Sequence, residues 1–182
     1  MAKRDVVLTY KDYEVLPADG RRYEIHDGEI SVIPAPSPQH QMVSRNLFRI
    51  LDGYVRARGI GEVLYAPIDV ILSDTSIVQP DIVYLDTARL GRISRRGIEG
   101  APTLVVEILS PSTGLIDRST KRQLYARHGV PFCWLVDPEG RAIEALALEP
   151  DGYELAARAS GAEPVSLSPF PDLPLVPATL WP

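Results

Sequence analysis

Leu104-Val105-Val106-Glu107-Ile108-Leu109-Ser110-Pro111-Ser112-Thr113 decides how the chain is read. Five of its first six residues are aliphatic, and Val and Ile favour a pleated backbone. The run therefore reads as a central strand buried on both faces. Ser110-Pro111-Ser112-Thr113 supplies the turn chemistry that ends it. Glu107 stands in the middle of the apolar run. An ionised carboxylate inside a sheet is costly unless a cation or several donors hold it. What partners Glu107 is the question that the flanking segments must answer.

Downstream, a helix is predicted from about Asp117 to His128, closed by Gly129 and Pro131. Phe132 to Val136 is a further apolar strand. Pro138-Glu139-Gly140 turns it into Ala142 to Leu148, and Pro150-Asp151-Gly152 turns again into Tyr153 to Ala157. From Pro164 to Pro182 the chain carries six of its 17 prolines, which suits a strap over the surface or an edge strand. Upstream, Thr9 caps a short helix over Tyr10 to Leu16. Arg21 to Ile25 and Glu29 to Ile33 flank His26-Asp27-Gly28, a hairpin signal. Val43, Leu47, Ile50, Leu51, Tyr54 and Val55 recur at helical spacing, with Ser37 as cap, Pro38 at the first position and Gly59 as terminator. Strands are expected over Glu62–Ala66, Ile68–Leu72 and Ile77–Leu85, and a short helix with a mobile loop over Asp86–Gly100. The order is α, hairpin, α, β-β-β, α, β-β-β. That is an α/β or α+β domain around one mixed sheet.

At 182 residues the chain suits a single domain, 1–182, with an N-terminal helix and hairpin over 1–35 and the Pro-rich strap over 160–182. Hydrophobic residues make up 45% and charged residues 24%, ordinary for a globular protein. No window reaches the ~18 apolar residues of a membrane span, and a cytoplasmic protein is expected. The single Cys133 excludes an internal disulfide and a Cys-based zinc cluster, and its apolar neighbours make it a core thiol. A net charge of -5 argues against a non-specific nucleic-acid coat protein. It leaves a nuclease open, because metal offsets site carboxylates and a local basic patch can carry the phosphate contacts.

Three charged residues stand where the pattern wants apolar ones. Glu107 is the first. Asp81, in Val78-Gln79-Pro80-Asp81-Ile82-Val83-Tyr84-Leu85, shares an alternation face with Val83 and Leu85, so it points into protein. Lys121 falls at i, i+3, i+4 and i+7 with Leu124, Tyr125 and His128, hence on the sheet-facing stripe of its helix. A lone buried acid is usually a structural ion pair, and a Lys on an apolar stripe often snorkels to water. The coincidence of all three on successive elements favours a site. Two carboxylates tolerate each other with a divalent cation between them, and oxygen ligands suit Mg²⁺ or Mn²⁺. An ammonium beside that metal assists an attacking water or a phosphate oxygen. These are the parts for metal-assisted phosphodiester hydrolysis.

The motifs Tyr23-Glu24-Ile25 with Asp27-Gly28-Glu29, Ser37-Pro38-Gln39-His40, Gln79-Pro80-Asp81-Ile82-Val83, Val106-Glu107-Ile108-Leu109-Ser110-Pro111-Ser112-Thr113, Lys121 to Tyr125 and Trp134-Leu135-Val136-Asp137-Pro138 follow one another in order. Together they resemble the Uma family of restriction-endonuclease-like proteins, within the PD-(D/E)XK nuclease superfamily, from about Tyr10 to Trp181. The resemblance implies a restriction-endonuclease-like core, a mixed sheet flanked by helices. Asp81 matches the first metal-binding carboxylate and Glu107 the second. Leu109 occupies the place of the superfamily lysine, and Lys121 is the candidate replacement. Glu24 matches an extra acid of related nucleases; it completes the metal shell, orients a water, or simply faces the surface as a hairpin residue. His40 either orients a phosphate or caps its helix, and His128 at a helix end is favoured in its charged form. Arg118, Arg122, Arg92, Arg95 and Arg96 are candidates for a phosphate-facing patch.

The resulting expectation is a Mg²⁺- or Mn²⁺-dependent DNA endonuclease, with homodimerisation plausible for cutting both strands. The main competitor is a catalytically inactive nuclease-fold protein that binds DNA or a protein partner, and Leu109 speaks for it. A metal-independent glycosidase with paired carboxylates is a third reading. The inward Lys and an aromatic content of 7% count against it.

Overall fold

The computed structural model describes residues 6–110 and 117–182, the side chains of 117 and 118 excepted. Pro111-Ser112-Thr113 of the expected turn therefore lies outside the described residues.

Helix α1 (Tyr10–Glu14) is followed by the hairpin of β1 (Arg22–His26) and β2 (Glu29–Ile33). Asp27 (φ 52°) and Gly28 (φ 86°) form its two-residue turn, both in the left-handed region that such a turn requires. Helix α2 (Pro38–Arg58) begins where the Ser37 hydroxyl accepts from His40 N–H at 3.2 Å and ends on Gly59 with φ 61°. Strands β3 (Gly61–Tyr65), β4 (Val70–Ser73), β5 (Ser76–Val78) and β6 (Ile82–Asp86) come next. A 3₁₀ turn (Thr87–Arg92) leads to β7 (Ile93–Ser94) and β8 (Gly97–Glu99), and then to β9 (Leu104–Ile108). A π-helical turn (Asp117–Lys121) runs into α3 (Arg122–Arg127). Strands β10 (Phe132–Asp137), β11 (Ala142–Glu149) and β12 (Gly152–Ser160) follow, then the hairpin of β13 (Val165–Leu167) and β14 (Phe170–Leu175) and a 3₁₀ turn (Pro177–Thr179).

The α+β class is as expected, but the strands divide among two six-stranded sheets and the two-stranded β13-β14 rather than forming one. One six-stranded sheet has the order β12-β11-β10-β9-β6-β3, and the other β2-β1-β5-β4-β8-β7. Strand β9 is central: it runs parallel to β10 and antiparallel to β6, and all five of its residues are buried. One face of this sheet, with Ile82, Tyr84, Val106, Ile108 and Trp134, lies under Val43, Leu47, Leu51 and Val55 of α2. The opposite face, with Val83, Leu85, Val105 and Leu135, lies under Leu124 and Tyr125 of α3. Cys133 belongs to this second core, as its neighbours predict.

The expected strand Ile77–Leu85 is two strands in two sheets. Pro80 has no N–H for a ladder, and Gln79 N–H is spent on a side chain, Glu24 Oε1 at 2.7 Å. The chain leaves the first sheet there and rejoins the second when Asp81 N–H donates to Val106 O at 3.1 Å. The break sets Asp81 at the head of β6. The expected loop over Asp86–Gly100 is also ordered. Ile98 N–H donates to Asp69 O at 2.8 Å, and a Cβ on Gly97 would lie 2.3 Å from that carbonyl, so only glycine permits the approach. Phe170, Leu173, Leu175 and Leu180 of the Pro-rich segment are buried in the same core as Trp134.

Candidate active site

Three ionisable side chains meet between the sheets. Lys121, at the end of the π-helical turn, places Nζ 2.9 Å from Glu107 Oε1 on β9 and 3.1 Å from Glu24 Oε1 on β1. All three are buried: relative exposures are 4% for Lys121, 2% for Glu107 and 0% for Glu24. The inward stripe Lys121-Leu124-Tyr125 is thus realised, with both apolar members fully buried. The ammonium answers the question raised by Glu107.

Further donors hold both acids. Glu24 Oε1 also takes Gln79 N–H, and its Oε2 lies 2.8 Å from His26 Nε2. Burial alone would raise the Glu24 carboxyl, but Lys121, His26 and the Gln79 amide outweigh it and hold the group at about 2. Tyr125 Oη donates to Glu107 Oε1. Burial and the two carboxylates raise the Tyr125 phenol well above its ordinary value, so it remains a donor.

Asp81 is tied to the same place by the backbone. Its Oδ2 accepts Ile108 N–H at 2.7 Å, one residue beyond Glu107, and lies 3.2 Å from His40 Nε2. The alternation that pairs Asp81 with Val83 and Leu85 does not govern it, because Asp81 precedes β6 and bends to meet α2. Asp81 and Glu107 therefore take their side-chain partners from different layers, His40 from α2 and Lys121 and Tyr125 from the α3 segment. Asp81 Oδ1 carries no hydrogen bond among the described residues. Asp81 and His40 line one groove of about 820 Å³.

His40 is thus beside an acid, while its backbone N–H is taken by the Ser37 cap of α2. Its Nδ1 is buried without a hydrogen bond. Arg118 lies outside the described side chains. Arg96 is drawn elsewhere, 4.0 Å over the Tyr10 ring and 3.8 Å from Glu99. His128 departs from expectation, since burial and then Arg127 lower its pKa, outweighing Asp27. Sequence reasoning passed over His26 and Gln79. His26 shares a face of β1 with Glu24 by simple alternation, a readable signal. Gln79 acts through its main chain, which no residue pattern reports.

The donor set fits a hard divalent cation in chemistry, being oxygen-only and including the open Asp81 Oδ1. No group of three His, Cys, Asp or Glu side chains is disposed as a metal shell among the described residues. Mg²⁺ does not require one, since it is commonly held by one or two carboxylates with water and substrate phosphate completing its sphere.

A crystal structure described as a "putative nuclease belonging to DUF820" from Anabaena variabilis ATCC 29413 has a similar fold, with a TM-score of 0.74 at 21% identity over 95% of this chain and 97% of that one. No curated protein matches the chain. Residues 10–177 match the model of a family described as "Putative restriction endonuclease", and so the chain belongs to the Uma2 family.

Proposed function

We propose that the protein is a metal-dependent nuclease that hydrolyses DNA phosphodiester bonds at Asp81, Glu107 and Lys121. The family description supports nucleic acid as substrate. The observation that carries the reading is the buried ammonium of Lys121, held between Glu107 and Glu24, with Asp81 anchored to the residue after Glu107 through Ile108 N–H. Leu109, at the usual lysine position, is 8% exposed and packs in the core beside Leu124 and Tyr125, so Lys121 is the cation that serves the site.

Asp81 and Glu107 would hold Mg²⁺ or Mn²⁺, which supplies charge neutralisation at the phosphate and a more acidic water. Lys121 directs its positive charge at the phosphate oxygens, where negative charge grows during in-line attack. Glu24 is a positioning residue: it touches Lys121 rather than substrate and fixes the ammonium through one of its two carboxylate contacts. Tyr125 orients the Glu107 carboxylate in the same way. His40 holds Asp81 and is placed to meet a phosphate entering along the groove.

The test is incubation of purified protein with plasmid and single-stranded DNA in Mg²⁺ or Mn²⁺, wild type beside Glu107→Gln and Asp81→Asn. Cleavage by the wild type that both variants and EDTA abolish supports the reading. Cleavage surviving in either folded variant refutes the assignment. A blank on every substrate favours a non-catalytic binding protein with the same ion pairs serving structure.

A further inference from the structure

The groove that ends at Asp81 has a second feature that hydrolysis does not use. Its lining includes the stripe Gln41, Arg45 and Arg49 of α2 with Phe48 beside it, together with Arg22, Tyr65 and nearby prolines. From His40 to Arg49 the helix rises about 14 Å, enough for a few nucleotides. Tyr65 is 60% exposed in a chain with few aromatics, and its ring meets Phe48 edge-on at 4.6 Å and 64°. Met42, 40% exposed, extends this apolar surface.

The charge is as unusual as the ring. Although the chain carries a net charge of -5, the groove holds three arginines and one carboxylate. None of the three arginines pairs with a carboxylate among the described residues: Arg22 donates to Pro34 O at 3.3 Å, and Arg45 to Asn46 Oδ1 at 3.2 Å. Uncompensated guanidinium groups beside an exposed aromatic face match a phosphate backbone with an accessible base. A duplex buries its base faces in the stack and offers only edges, so the Tyr65 face calls for an unpaired base.

We propose that this groove binds an unpaired polynucleotide strand, stacking a base against Tyr65 while Arg22, Arg45 and Arg49 take phosphates on the way to Asp81. The binding is independent of catalysis; only the delivery of a phosphate to Asp81 rests on the nuclease reading. The inference is tested by fluorescence anisotropy in EDTA with labelled oligodeoxyuridine, oligouridine and a duplex of equal length. Wild type is compared with Tyr65→Ala and with the double variant Arg45→Ala/Arg49→Ala, all at exposed positions.

The single strands should bind more tightly than the duplex. Tyr65→Ala should weaken them roughly 5- to 100-fold, the range that base–aromatic stacking spans. The double arginine variant should flatten the dependence of log affinity on log salt by about 1.4, two phosphate contacts on a single strand. A preference between oligodeoxyuridine and oligouridine names the sugar, and equal binding assigns recognition to shared features. Duplex bound as tightly as either strand, or affinity unchanged in both variants, overturns the proposal. Parallel cleavage assays in Mn²⁺ separate the two readings. Tyr65-dependent binding without cleavage keeps the groove and removes the nuclease; cleavage indifferent to Tyr65 and the arginines does the reverse.

Discussion

Lys121 is the residue on which the centre of the molecule balances, because it compensates two buried carboxylates at once. Replacing it with Met keeps the apolar stem but removes the ammonium that Glu24 and Glu107 share. Removing one partner of a buried pair costs roughly 3–5 kcal/mol, and urea denaturation of Lys121→Met should register a loss of that order. Asp81→Asn should instead lose cleavage with little change in the urea midpoint, since its open Oδ1 serves no internal partner. Glu24 carries a pH signature. Its folded value of about 2 lies below the ordinary 4.5, so its contribution is complete above 4.5 and fades as pH falls towards 2. Acid titration of stability should therefore be less steep in Glu24→Gln than in wild type over that window, by up to about one proton. At this scale Lys121 was legible, because helical periodicity reports which way a side chain faces. The role of Glu24 was not. Strand β1 buries consecutive residues, Glu24 and Ile25, and alternation cannot say what covers the second face.

At the scale of elements, caps and turns were written plainly in the residues. Ser37 both starts α2 and sets His40, so Ser37→Ala should lower stability by about 1 kcal/mol in thermal or urea melts. Gly28 is constrained twice, by φ 86° and by a Cβ that would lie 2.4 Å from Val7 Cγ1. Gly28→Ala should cost more than roughly 1 kcal/mol and loosen the hairpin that carries Glu24, seen as faster amide exchange over β1 and β2. The stretch Ile77–Leu85 went the other way. Its hydrophobicity is continuous, yet Gln79-Pro80-Asp81 passes it from one sheet to the other, because a proline without N–H and an amide captured by Glu24 end the ladder. The same residues that spoil a long strand put Asp81 at the site.

Across the whole molecule, the Pro-rich tail is part of the fold rather than a trailing end. Phe170 meets Tyr84 at 4.9 Å and Trp134 at 5.9 Å, and the Trp134 indole donates to Ser168 O at 2.8 Å. Phe170→Ala should cost roughly 3–5 kcal/mol, read as a lowered melting temperature with loss of near-ultraviolet dichroism from Trp134. The pairing of β9 with β10 and β6 could be guessed from three apolar runs. Two separate sheets could not, because β4 and β8 pair in parallel across an intervening strand of the other sheet.

The residues alone were sufficient for the class of fold, the capped helices, the hairpin turn and the inward course of Lys121, since each follows from local chemistry or from the period of a single element. Only the tertiary structure decided that Glu24 closes on Lys121, that His40 rather than a sheet neighbour meets Asp81, and that Tyr65 and three arginines share one groove. Those outcomes depend on which surfaces pack together, and contacts between elements distant in the chain leave no periodic trace in it.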